Sequence, residues 1–207
     1  MPKKSVFLDA NIIADYILVH QRIQEAIREG DDPQATLEII AKEHSAPLPA
    51  YKIVEHALKG GYKRHRFLTS QLAIAETVRV ITLEYFYRVW HKKGIPLRYW
   101  SQTSMGKLPA DEKTQLNAAM NEFTGAMNIH AGKFLMIAPE YFDFKIIGPL
   151  MWNYSCEVQD AVLISTAINQ KCKLFVTEDH RLTRKVNVFR HDFVKHPQTF
   201  ISDYGPK

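Results

Sequence analysis

The sequence predicts an α/β protein of three layers, with a central parallel sheet covered by helices on both faces. Three observations carry that expectation. The apolar runs Ser5-Val6-Phe7-Leu8, Arg66-Phe67-Leu68-Thr69 and Lys173-Leu174-Phe175-Val176-Thr177 have the length of buried strands. The segments between them place apolar residues at helical spacing, as at Ile12, Ile13, Tyr16 and Ile17. Strands that alternate with helices form parallel sheets, and ligands collect beyond the carboxyl ends of such strands.

In chain order, the first strand stops at Asp9 and a helix follows over Asn11 to Val19. A polar stretch with Glu25, Glu29, Asp31 and Asp32 comes next. Asp32-Pro33 starts a second helix, with proline in its first turn. Pro47 and Pro49 break the chain before a short helix over Tyr51 to Leu58, and Gly60-Gly61 ends it. After the second strand, Ser70 caps a long helix reaching about His91, which Gly94 and Pro96 terminate. Helical spacing returns from Lys107 to Asn128. Lys133 to Ala138 reads as a third strand, Lys145 to Trp152 and Val158 to Asn169 as helices. Beyond Val186 the sequence predicts a short strand among polar loops.

With 207 residues the chain can bury a sizeable core, and 1–207 is read as one domain. Hydrophobic residues at 46% and charged residues at 24% argue against a disordered chain. No apolar run approaches the ~18 residues of a membrane span. Met1-Pro2-Lys3-Lys4 leads into too few apolar positions for a signal peptide. A cytoplasmic protein with no membrane partner is expected. Cys156 and Cys172 are read as reduced structural thiols, too few for a disulfide framework or a Cys-rich zinc site. The net charge of +5 permits a polyanionic partner without requiring one.

Two strands end in acid: Leu8 leads to Asp9, and Thr177 to Glu178 and Asp179. A parallel sheet brings both ends to one side. Glu76 lies in the long helix and shares a face with Leu72, Ala73, Val80 and Leu83, where an unpaired carboxylate is costly. Asp160 opens the apolar helix Ala161 to Ile168. Each residue also has a plainer reading. Asp9 and Asp160 suit helix caps, Asp179 suits a turn, and Glu76 suits an ion pair with an arginine.

Taken together and in order, the four acids resemble the PIN-domain family. Leu8-Asp9-Ala10-Asn11 is similar to the D-x-N motif after that family's first strand. Phe67 to Ser70, leading into Ala73-Ile74-Ala75-Glu76, looks like its second strand and Glu-bearing helix. Gln159 to Ala167 resembles its D-A-x-I-x-x-A helix with one extra residue, and Leu174 to Asp179 its final strand with T-x-D ending. The resemblance spans roughly residues 4–20, 65–92 and 133–185. Against the compact VapC-like toxins, this chain carries helical insertions at about 22–58 and 95–128, the first expected to pack beside the sheet.

The resemblance implies a metal-dependent ribonuclease, in the setting of a toxin–antitoxin pair or outside it. Asp9, Glu76, Asp160 and Asp179 would be its catalytic and metal-binding residues, with Asn11 and Thr177 in support. Carboxylate oxygens suit Mg²⁺ or Mn²⁺. Glu178 is disfavoured as a ligand because a continuing strand points it away from its neighbours. RNA is the expected substrate, with an antitoxin protein and a homodimer as further partners. The basic run Lys59, Lys63, Arg64, His65, Arg66, with Tyr62 inside it, offers phosphate contacts and a stacking ring. Arg181, Arg184 and Lys185 follow Asp179 and offer more. Two rivals stand beside this reading. A haloacid-dehalogenase-type phosphatase needs a second Asp where this chain has Asn11. A non-catalytic PIN-like module would bind RNA or a protein partner.

Overall fold

Alternation along β1 (Lys4–Leu8) divides the interior into two layers. Val6 and Leu8 face one set of helices and Phe7 faces the other, the period of two that a strand imposes. The computed structural model describes residues 3–43, 45–102, 106–130, 132–137, 140 and 142–205. Within them, β2 (His65–Ser70), β3 (Phe134–Ile137), β4 (Leu174–Val176) and β5 (Val194–Lys195) join β1 in a five-stranded sheet of order β3-β2-β1-β4-β5. Every pairing is parallel, with Val6 opposite Phe67 on one side and opposite Leu174 on the other.

One face is covered by α1 (Ala10–Glu29), α2 (Pro33–Glu43), α3 (Leu48–Leu58), α5 (Ala110–Ile129) and α9 (Pro197–Tyr204). They bury Ile13, Ile40, Ile53, Phe123 and Phe200 against Phe67 and Val176. The other face is covered by α6 (Phe144–Tyr154), α7 (Val158–Asn169) and α8 (His180–Phe189), which pack Leu150, Leu163 and Val186 on Phe7 and Phe175. α4 (Gln71–Lys92) contributes to both, through Ala73 and Ile81. The structure is thus a three-layer α/β/α arrangement around a parallel sheet. The helices of 22–58 share the first core with β1, β2 and β4.

Several elements differ from their sequence reading. α1 does not end near Val19; it continues through the polar stretch to Glu29 because Ile23 and Ala26 keep its buried stripe going. Gly30, at φ 86°, closes it in the left-handed conformation that glycine adopts without penalty. α3 starts at Leu48, with Pro49 tolerated in the first turn. The tail is helical where loops are expected. Asp179 caps α8, whose apolar stripe of Leu182, Val186 and Phe189 is interleaved with Arg181, Arg184 and Lys185. Pro197 opens α9. Ala138, expected to end the third strand, lies outside the described residues.

The Phe7 and Phe175 rings stack at 5.3 Å across the β1–β4 pair. Both are fully buried. Phe175→Ala should cost about 3–5 kcal/mol of unfolding free energy. Denaturant titration checks this, and a loss below about 1 kcal/mol would contradict this packing.

Candidate functional site

The chain turns from strand to helix at Asp9, and the turn fixes its carboxylate. As N-cap of α1, Asp9 accepts the Ala10 amide on Oδ1 at 2.8 Å. Its Oδ2 accepts the Thr177 hydroxyl at 2.7 Å and the Asn11 side-chain amide at 3.2 Å. Thr177, fully buried just past β4, also accepts from Asn11 Nδ2 at 3.1 Å and from the Asp179 amide at 3.1 Å. Asn11 Oδ1 accepts the Glu178 amide at 3.3 Å. Asp179 caps α8, taking the Arg181 and Leu182 amides on Oδ1 at 2.6 and 3.0 Å. Asp9, Asn11, Thr177 and Asp179 thus form one bonded unit across the carboxyl ends of β1 and β4.

Glu76 and Asp160 join them. A cleft of about 250 Å³ is lined by Asp9, Asn11, Glu76, Asp160 and Asp179, with Arg79, Glu157 and Gln159. Glu76 stands in the second turn of α4. Asp160 lies in the first turn of α7, whose cap position is Glu157 without a side-chain capping bond. Among the described residues the lining holds five carboxylates and one guanidinium, that of Arg79. Burial, then Asp9, Asp179, Glu157 and Glu76, push the Asp160 carboxyl up to about 7. Burial raises Asp9 too, against the hydrogen bonds from Thr177, Ala10 and Asn11. Glu76 is raised by burial and by Asp9, while Arg79 pulls it back.

Hard oxygen donors with excess negative charge in a half-buried cleft fit a divalent cation. Among the described residues, however, no three His, Cys, Asp or Glu side chains are gathered closely enough to hold an ion as they stand. A larger cleft, about 340 Å³ between α1, α4 and α5, contains none of these four acids.

Glu178 is absent from the acidic cleft and meets Asp15 instead, although β4 ends at Val176 and does not continue through it. Burial, then Glu178 and Glu84, push the Asp15 carboxyl up to about 8. The shared hydrogen bond needs a proton on one of the two. Sequence reading misses this pair, along with Arg79, Glu157 and Thr77. Arg79 has a readable signal, one helical turn from Glu76 on the same face. Thr77 has none: its buried hydroxyl donates to Ala10 O at 3.1 Å, tying α4 to the start of α1.

The basic residues separate into two groups. Arg181 and Arg184 are exposed on α8, near the carboxylates but outside the cleft lining. Lys63 and Arg64 precede β2 and lie ~20 Å from its carboxyl end, and Arg66, its second residue, lies ~13 Å from that end. The structure does not bring them to the acids. Tyr62 offers no ring for stacking, because it is buried against His56, Phe67 and Phe200. Lys59 pairs with Glu55 at 2.6 Å.

No family model matches the chain. A protein of Archaeoglobus fulgidus, described as "Uncharacterized protein", is 31% identical over 113 residues, covering 54% of this chain and 88% of that one. The chain belongs to the same family as that archaeal protein. The relative's description carries no chemistry.

Raised carboxyls make apo stability depend on pH. Asp15 and Asp160 bind a proton in the folded state where an unfolded carboxyl, near 3.8, does not. Their contribution is complete below that value and is lost as pH rises through about 7 to 8. In EDTA the melting temperature should therefore fall between about pH 6 and about pH 8.5, and Asp15→Asn should flatten the fall. Melting curves across that range check it, and a temperature that holds or rises would count against the protonated pair.

Proposed function

We propose that this chain is a divalent-metal-dependent endoribonuclease with a PIN-like fold, hydrolysing phosphodiester bonds in RNA. The observation that carries the reading is the arrival of Asp9, Glu76, Asp160 and Asp179 in one cleft from four separate elements. Asp9, Asp160 and Asp179 would hold Mg²⁺ or Mn²⁺, and Glu76 would complete the set or orient the attacking water. The bound ion would supply an activated water and neutralise charge building on the phosphodiester. The chain's own contribution is orientation. Thr177 and Asn11 hold Asp9 Oδ2 in place, the support a metal-binding carboxylate needs. Arg79 stands in the wall where a substrate phosphate would meet a positive charge.

The non-catalytic reading draws on one observation, the absence among the described residues of a trio of acids at ligand spacing. Closing the carboxylates around an ion is what separates the two.

With Mg²⁺ or Mn²⁺, the purified protein should cut single-stranded RNA, and EDTA should stop it. Asp160→Asn should lower cleavage by more than about 100-fold, and Thr177→Val by about 10- to 100-fold through a loosened Asp9. Gel assays of labelled RNA check both. Cleavage by Asp160→Asn at the wild-type rate would refute the metal mechanism. Tight RNA binding without cleavage in any metal would favour the non-catalytic module.

A further inference from the structure

The parallel sheet gathers cations at the edge opposite the carboxylates. Its strands all start there, and a basic residue stands at each of four successive starts. Lys133 precedes β3, Lys63 and Arg64 precede β2, Lys4 opens β1, and Lys171 and Lys173 precede β4. Backbone bonds fix them as neighbours. The Phe67 amide donates to Lys133 O at 2.7 Å, the Lys4 amide to Arg64 O at 2.8 Å, and the Lys173 amide to Ser5 O at 2.8 Å. All but Lys133 are exposed, and among the described residues none of the six is ion-paired with a carboxylate.

The crowding is felt locally. The Lys133 ammonium donates to Gly60 O and, at 2.7 Å, to Gly61 O. Desolvation, then Lys3 and Lys63, hold it below its ordinary value. Burial, then Lys4, do the same to His65.

We propose that this edge is a second nucleic-acid surface, gripping the RNA backbone away from the cleavage cleft; it rests on the ribonuclease reading for the identity of the polyanion. The four strand starts that carry the cations lie side by side in one row. Three strand intervals of ~4.8 Å give a row of about 14 Å, the rise of about four nucleotides. A line of charge matches a strand of phosphates better than the plane of a lipid surface. Tyr62 is buried beneath the row, so the contacts go to phosphates and carry no sequence preference. Because β2 holds the two edges ~20 Å apart, one RNA must extend about six nucleotides past the cut bond to touch both.

The test is fluorescence anisotropy in EDTA, where nothing is cut, with labelled RNAs of about 5 and about 20 nucleotides. The variants are Lys63→Glu with Arg64→Glu, and Lys171→Glu with Lys173→Glu, all at exposed positions; glutamine versions keep the test valid if charge reversal disturbs folding. Each pair should weaken binding of the longer RNA by about tenfold or more. Each should also flatten the slope of log affinity against log salt by ~0.7 for every phosphate no longer neutralised. Asp160→Asn should bind the longer RNA at least as well as wild type. Binding of that RNA within about twofold of wild type in both pairs would overturn the surface, as would binding to anionic vesicles without binding to RNA. The two proposals fail separately: unchanged binding with intact cleavage removes only this surface, and lost binding in a protein that never cleaves removes only the nuclease.

Discussion

One buried hydroxyl fastens the end of β1 to the end of β4. Thr177 Oγ1 donates to Asp9 Oδ2 at 2.7 Å and accepts from Asn11 and from the Asp179 amide. Without it, a desolvated carboxylate would lack its shortest bond, and the two turns that launch α1 and α8 would be held, among the described residues, only by the Asn11–Glu178 bond and the Asp9 amide on Val176 O. The same edge receives the amino ends of α4 and α7. Four helix amino termini therefore point toward the acids, and their partial positive charge offsets some of the repulsion among them. A parallel sheet places the starts of α1, α4 and α8 there, because each strand hands the chain to its helix on the same side, whereas α7 follows α6 rather than a strand.

Away from the cleft, the added helices serve the scaffold. α3 lies against α1, where the Tyr16 and Tyr51 rings stack at 5.6 Å, and Tyr16 also meets Phe123 of α5. Phe200 of α9 packs on Tyr62 and Phe67, so the end of the chain covers the same sheet face. These helices thicken one layer and leave the edge that carries the acids open.

The framework and most of the acids are legible in the sequence because both signals are local. Short apolar runs show the strands, and an acid directly after a strand or at a helix start shows its own position. Residues that act through distant partners give no such signal. Thr77 is an ordinary helical threonine until it meets Ala10, and Asp15 an ordinary helical acid until it meets Glu178. The basic run at 63–66 is legible as a cluster, but its distance from the acids is not, because that is set by the length of β2 lying between them. The helix after Asp179 carries a readable period, since Leu182, Val186 and Phe189 stand four and three residues apart on one helical face.

Asp9 serves twice, as a helix cap and as a member of the acidic cleft. The two uses make different demands: the cap asks only for a side-chain oxygen beside the Ala10 amide, whereas the cleft asks for negative charge. Asparagine satisfies the first and not the second. The Thr177 hydroxyl and the Asn11 amide both donate to Oδ2, however, and the nitrogen of an asparagine turned to face them could accept from neither, so losing the charge at this turn also loosens the tie between β1 and β4.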